Sequence, residues 1–313
     1  MVPEPYPCAM VGQERDGPMT LRAYADLLRL HFAFAWPLLF CSGLFLAFGT
    51  YGGFSWSLVV TAALIGLFGF EAGMVLNDYV DRERDRRDVE GRLTRYWRPF
   101  GTRPLAAGEI PARHALALFL LLAFVALALI ATLPYPHSLF VAGIMAYSYA
   151  VEVFYQVRKR NQSHPVAQVV GRTDLALFPV AGYLAAGMPD LTALMYFLFF
   201  YPYALAHLGA NDLVDVRNDR ARGMQTVTVL YGISGTILWI AGFTAVHGVM
   251  ALLFAGSIGS VARAGLLVGF LLLVVANAVV LRERTSGAAV RVLPLFHLAM
   301  VVYASGMVLG AVW

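Results

Sequence analysis

Asn77-Asp78-Tyr79-Val80-Asp81-Arg82-Glu83-Arg84-Asp85 recurs, 134 residues further along, as Asn211-Asp212-Leu213-Val214-Asp215-Val216-Arg217-Asn218-Asp219, with five of nine positions kept. Each copy directly follows an apolar run. Within each copy the aspartates stand three and four apart, a spacing that gathers them on one face of a helix. Asn77 and Asn211 lie four before Asp81 and Asp215 and join the same edge. The pattern predicts two helices ending in matched acidic faces, and a chain made of two like halves. Internal repeats of this kind are common in membrane bundles, with the site near their interface.

Outward from the two copies the chain is strongly apolar. Of 313 residues, 59% are hydrophobic and only 13% charged, against roughly 45–50% and about 25% in soluble domains. Mean hydropathy is +0.68. A chain so composed uses lipid as its solvent. Nine runs have the length of a membrane span, near 27–50, 55–76, 113–133, 137–156, 165–187, 190–210, 227–254, 262–281 and 292–313. None alternates as a strand would, which predicts an all-α bundle: two four-helix repeats plus a ninth helix around a central cavity. Arginine supplies an orientation. The segments after the first, third and fifth runs carry no Arg or Lys, while those after the second, fourth, sixth and eighth hold nearly all of the 22 Arg and the single Lys, Lys159. The positive-inside rule then puts the N-terminus and both acidic motifs on the cytoplasmic side. The same placement explains the formal charge of +4 without a nucleic-acid partner. Residues 1–24 read as a cytoplasmic tail, with Pro3, Pro5, Pro7, Glu4, Glu14 and Asp16 but no apolar signal core, ahead of a single nine-helix domain over 25–313. Cys8 and Cys41 have no ligand-like spacing.

Six converging carboxylates, Asp78, Asp81, Asp85, Asp212, Asp215 and Asp219, repel one another unless cations sit between them. Hard oxygen ligands without His/Cys clusters suit Mg²⁺, which keeps waters and shares its shell with phosphate oxygens. A diphosphate is the natural third party, its leaving-group charge stabilised by the metal. The plainer reading is a pair of solvated, charged helix ends at the membrane surface.

The doubled N-D-x-x-D-x-x-x-D motif on such a chain resembles the UbiA superfamily of intramembrane prenyltransferases. Arg103-Pro104-Leu105-Ala106-Ala107-Gly108 is similar to that family's R-P-[LI]-x-[SA]-G stretch, and Gly223–Gly232 to its G-x-K-T…G run. Two departures stand out: Gln225 replaces the family's frequent Lys, and the stretch Val89–Gly101 is longer than the usual spacer. The resemblance implies that a prenyl diphosphate binds on Mg²⁺ held by the two motifs, ionises to an allylic cation, and is captured by an acceptor. Asn77 and Asn211 join the six aspartates as implied metal ligands. Arg103 and Lys159, with its neighbour Arg158, become candidate diphosphate contacts.

Further residues admit two readings each. Glu152, Tyr155, Gln156 and Lys159 share a helix face, which reads as a path from membrane to diphosphate or as an interfacial belt with a snorkelling Lys. Arg172 and Asp174 fall inside an apolar run, where ionisable groups usually face a cavity or pair with other helices. Glu71 lies seven before Asp78 and reads as an acceptor-orienting base or a buried brace. His207 reads as site or core. Tyr147 and Tyr149 offer π faces to a cation or face lipid. The acceptor stays open, with aromatic compounds the commonest in the family and lipids among the others. A membrane terpene cyclase would use the same ionisation. A cation transporter would need carboxylates deeper in the membrane than these helix ends place them.

Overall fold

The computed structural model describes residues 21–312, so residues 1–20 of the expected tail lie outside the described residues. All regular structure in the described residues is helical: α1 Leu21–Leu27, α2 Ala35–Tyr51, α3 Trp56–Asp85, α4 Arg92–Trp97, α5 Ala112–Ala131, α6 His137–Arg158, α7 Val166–Gly171, α8 Thr173–Leu184, α9 Leu191–Val214, α10 Val216–Arg222, α11 Val227–Ala255, α12 Ser260–Glu283 and α13 Ser286–Val312. Residues 21–24 of the expected tail begin α1, with Ala23 and Leu27 buried.

Seven of these helices, α3, α5, α6, α9, α11, α12 and α13, are long and apolar enough to cross a membrane. They carry exposed large apolar side chains such as Leu238, Leu252, Phe124 and Leu267, a surface suited to lipid rather than water. The other two expected spans differ. The run at 27–50 gives only the 17-residue α2, because 28–34 is spent on turns in which Arg29 takes a left-handed φ of 48°. The run at 165–187 breaks at Arg172 into α7 and α8. Among the described residues, length and composition thus support seven of the nine expected spans, and α2 and the α7–α8 pair fall short of that criterion.

Each motif helix packs between neighbours: α3 against α2 and α5, α9 against α8 and α11, as the 134-residue offset predicts. The halves meet where α2 crosses α8. There a Cβ on Gly43 would lie 1.8 Å from Pro179 O, and one on Gly182 1.8 Å from Phe40 O. Backbones can approach this closely only where side chains are absent. An aromatic core of Tyr196, Phe199, Phe200, Tyr203, Phe254, Phe296 and Tyr303, all buried, fills the space between α9, α11 and α13. Its polar tips are satisfied: His247 lies between Phe199 O and the Tyr303 hydroxyl, 2.8 Å from each.

Candidate active site

The 30 residues of α3 span about 45 Å at 1.5 Å per residue, more than the ~30 Å hydrocarbon core needs. The first motif occupies the surplus turns. Asp78, Asp81 and Asp85 all remain helical and buried there. Asp78 is enclosed by arginine, with Oδ1 2.8 Å from Arg29 Nη2 and Oδ2 2.6 Å from Arg98 Nη2. Asp81 meets Lys159 Nζ at 2.8 Å and Arg160 Nη2 at 3.1 Å. Asp85 meets Arg103 Nη1 at 2.7 Å and Arg222 Nη2 at 3.5 Å.

The second motif is built differently. Helix α9 stops at Val214, Asp215 leaves the helix at φ −94° and ψ 9°, and α10 runs on to Gly223, whose φ of 73° closes it. The break lets each carboxylate turn back onto the chain. Asp212 Oδ2 accepts from Val227 N at 2.9 Å and so caps the start of α11. Asp215 Oδ1 accepts from Asn218 Nδ2 at 2.7 Å, and Asp219 Oδ2 from Thr226 Oγ1 at 2.8 Å. Arg222 approaches Asp215 at 3.4 Å.

Both motifs open on one cavity of about 240 Å³. Asp81, Asp85, Asp212, Asp215 and Asp219 line it, with Arg103, Lys159, Arg172 and Arg222; its apolar lining includes Trp36, Phe70, Met74 and Phe178. Trp36 and Phe70 stack with centroids 3.6 Å apart. Tyr155 is buried in the wall, with Lys159 Nζ 4.7 Å and the Arg172 guanidinium carbon 5.2 Å from its ring centroid.

The donor set fits a hard cation. Asp219, in α10 outside the spanning helices, has its carboxyl held well above the usual range by burial and then by the Asp215 and Asp212 carboxylates; a bound cation would relieve this repulsion. At Lys159, beyond the end of α6, burial works against the charge, but Asp81 and further anionic partners outweigh it and raise the ammonium's pKa. Among the described residues no three His, Cys, Asp or Glu side chains converge closely enough to hold a metal alone. Phosphate oxygens or water would have to complete the shell, as is usual for Mg²⁺.

The expected site residues sit in differing surroundings. Asp78 Oδ1 accepts from Arg29 and its Oδ2 from Arg98. Asn77 and Asn211 line the cavity, but Asn77 Nδ2 donates to Glu152 Oε1 at 2.6 Å, while Asn211 is held by His207 and Trp97. Arg158 points outward and is exposed; Arg160, two residues on, reaches Asp81 instead. Tyr147 is 41% exposed and pairs with Thr173, whereas Tyr149 lines the cavity. Glu71 sits behind the wall and accepts from Trp36 Nε1 at 3.1 Å. Arg172 and Asp174 line the cavity from the break between α7 and α8, not from inside one continuous helix.

Other participants carried no motif. Arg222 ties the two copies together, reaching Asp85, Asp88 and Asp215. Asn218 accepts from Val89 N and Glu90 N at 2.9 and 2.8 Å. These bonds pin the segment that leads into α4, which delivers Trp97 and Arg98 to the cavity. That segment is the long spacer visible in the sequence. Nothing in the sequence singled out Arg29.

A model of the UbiA prenyltransferase family matches residues 34–301. Among curated relatives, 4-hydroxybenzoate octaprenyltransferase of Tolumonas auensis is 30% identical over 198 residues, 63% of either chain. Protoheme IX farnesyltransferase of Anaeromyxobacter sp. is 32% identical over 191 residues, 60% of this chain and 58% of that one. The matched stretch thus spans about three fifths of these relatives' length. Among solved structures, an apo UbiA homologue from Aeropyrum pernix K1 superposes with a TM-score of 0.72 at 18% identity, covering 90% of this chain and 98% of that one. A UbiA homologue from Archaeoglobus fulgidus bound to GPP and Mg²⁺ gives 0.65 at 16% identity, covering 91% and 99%. At these identities the likeness concerns the fold.

Proposed function

The chain belongs to the UbiA prenyltransferase family, and from that premise we propose that it is a Mg²⁺-dependent intramembrane enzyme that transfers a prenyl group from its diphosphate to an aromatic acceptor. It is an integral, multi-pass membrane protein. One observation carries the reading: a single cavity joins five carboxylates and several cations at one end to an aromatic, apolar wall at the other. A prenyl diphosphate has the same two-ended chemistry. The names of the relatives, which act on 4-hydroxybenzoate and on protoheme, favour an aromatic acceptor.

In this reading Asp212, Asp215 and Asp219, with Asp81 and Asp85 on the same cavity, would hold Mg²⁺. Bound Mg²⁺ supplies positive charge to the leaving diphosphate oxygens. Lys159, Arg103 and Arg172 bind the remaining phosphate charge, in sites where buried cations act strongly. Tyr155, held between Lys159 and Arg172, fixes the height of both. Trp36, Phe70 and Phe178 exclude water and offer π faces to the allylic group. The motifs and the N-terminus are assigned to the cytoplasmic side from the Arg bias. Single cysteines placed in 86–100 should label from outside only after permeabilisation; labelling in sealed cells would reverse the orientation.

The test of activity uses the detergent-solubilised full chain with radiolabelled geranyl diphosphate, 4-hydroxybenzoate and Mg²⁺. Label should move to the acceptor, and EDTA should stop it. No release of diphosphate under any of these conditions would sink the proposal.

A further inference from the structure

Asp26 lies in α1 and is fully buried. Its carboxylate accepts three hydrogen bonds from one short loop. Phe100 N donates to Oδ1 at 2.7 Å, and Thr102 N and Thr102 Oγ1 donate to Oδ2 at 2.7 and 2.8 Å. Between the two amides Gly101 takes a left-handed φ of 75°, and its own N–H donates to Arg98 O at 3.1 Å. Alternate amides thus turn toward one anion, a backbone concavity of the kind that binds anions. Here the chain supplies the anion itself.

The loop is bracketed by Arg98 and Arg103, which both line the cavity, while Asp26 stands outside its lining. Arg98 Nη2 reaches Asp78 at 2.6 Å, and Arg103 reaches Asp85 at 2.7 Å and Asp88 at 2.9 Å. Arg29, three residues after Asp26, turns onto the same Asp78. Asn218 pins the upstream end of this segment through Val89 N and Glu90 N; Asp26 pins the downstream end.

Holding α1 in place does not require this carboxylate. The helix already packs through Ala23 and Leu27 in an apolar cluster with Val75, Leu105, Ile110 and Ala115. What the carboxylate adds is the course of the loop. A diphosphate that draws the Arg103 guanidinium off Asp85 and Asp88 removes its side-chain anchors. Its place then depends on its backbone, which Asp26 holds one residue earlier, at Thr102.

We propose that Asp26 is a positioning residue of the diphosphate site: by gripping the Phe100 and Thr102 amides it sets where Arg98 and Arg103 stand at the cavity. This rests on the prenyl-transfer reading and adds to it a residue that touches neither substrate nor metal.

Two measurements on the solubilised full chain test this. Hydrogen–deuterium exchange over 96–105 reads the anchor, and equilibrium dialysis of inorganic diphosphate with Mg²⁺ reads its consequence. Asp26→Asn keeps one acceptor oxygen and turns an N–H toward the other backbone amide. It should speed exchange at Phe100 and Thr102 and weaken diphosphate binding, each about tenfold, the scale of one hydrogen bond to a charged group. In an Arg103→Ala background the same substitution should weaken diphosphate by less than about twofold further, because residues that act through one another do not add. Leu27→Ala, which loosens α1 through its apolar face, should lower the melting temperature and leave the folded protein's diphosphate affinity within about twofold. Thr102→Val removes the hydroxyl bond alone. It should give a smaller loss in both readouts, and it decides the matter if Asp26→Asn fails to fold. Unchanged exchange at 96–105, additive losses with Arg103→Ala, or an equal loss of affinity in Leu27→Ala overturns the proposal. Failure of the wild type to bind diphosphate with Mg²⁺ counts instead against the prenyl-transfer reading; the exchange at 96–105 still decides whether Asp26 sets the loop.

Discussion

The two copies of the acidic motif share a pattern but not an environment. In the first, a straight helix carries Asp78, Asp81 and Asp85 into contact with Arg29, Arg98, Lys159, Arg160, Arg103 and Arg222. In the second, a broken helix turns Asp212, Asp215 and Asp219 onto a backbone amide, an asparagine amide and a threonine hydroxyl, with Arg222 the cation beside Asp215. The chain itself neutralises the first copy and leaves the second negative. An added divalent cation therefore gains more at the second copy, and the first becomes partly a scaffold that holds cations in position for an anion.

This asymmetry breaks most sharply at Asp78. Its removal leaves Arg29 and Arg98 buried without their carboxylate, and breaking a buried pair in this way costs roughly 3–5 kcal/mol. Asp78→Ala should therefore lose folded protein, read as a much lower melting temperature in detergent. Melting like wild type would return Asp78 to the list of possible metal ligands. Asp212→Asn should do the opposite. It keeps an oxygen for Val227 N and removes only charge. Melting should hold while transfer falls about a thousandfold, the scale of losing one strong electrostatic contact to the reacting group. Equal loss of stability in both variants would mean the copies are equivalent after all.

The sequence made the apolar bundle, the pairing of the halves and the two acidic faces legible, because each rests on short-range periodicity. Asp78 shows where this ends. Its spacing is that of a ligand, and only the approach of Arg29 and Arg98, from 49 and 20 residues away, makes it a brace. The break at Asp215 was hidden for a related reason: Val214, Asp215 and Val216 include no Pro or Gly, so local propensity gives no stop, and the turn is fixed by contacts with Val89, Glu90 and Thr226. Arg158 and Tyr147 turn outward on α6, one or two residues round from Lys159 and Tyr149, a rotation that an apolar run with lipid on much of its surface does not reveal.

Asp81 offers a finer test, since Lys159 and Arg160 both bind it. The Lys159 side chain is 10% exposed and lines the cavity, while that of Arg160 is 28% exposed and also donates to Val80 O. Lys159→Ala should lower turnover about 10–100-fold, or roughly 1.4–2.7 kcal/mol of barrier, mostly in kcat. Arg160→Ala, removing a partly solvated ion pair worth ~0–1 kcal/mol, should cost less than about fivefold. The reverse order would make Arg160 the phosphate contact and Lys159 its support.

The smallest effect is expected at Arg158, and it fixes which face of α6 serves the first copy. Lys159 and Arg160 turn inward onto Asp81, and Lys159 O also accepts from Gln225 N at 2.7 Å, which locks the end of α6 against the loop after the second motif. Arg158, one residue earlier, is carried by that lock to the outside, where it is exposed. Its charge lies in solvent or among lipid headgroups, which attract a basic side chain by about 1 kcal/mol without favouring any state of the reaction. Arg158→Ala should therefore leave transfer in detergent within about twofold and the melting temperature nearly unchanged, as for most surface substitutions. In vesicles rich in anionic lipid the same variant should bind the headgroup surface slightly less, with turnover per folded enzyme unaltered. A tenfold fall in kcat in detergent, where no anionic lipid is present, would place Arg158 in the cavity and rotate the whole Lys159 assignment with it.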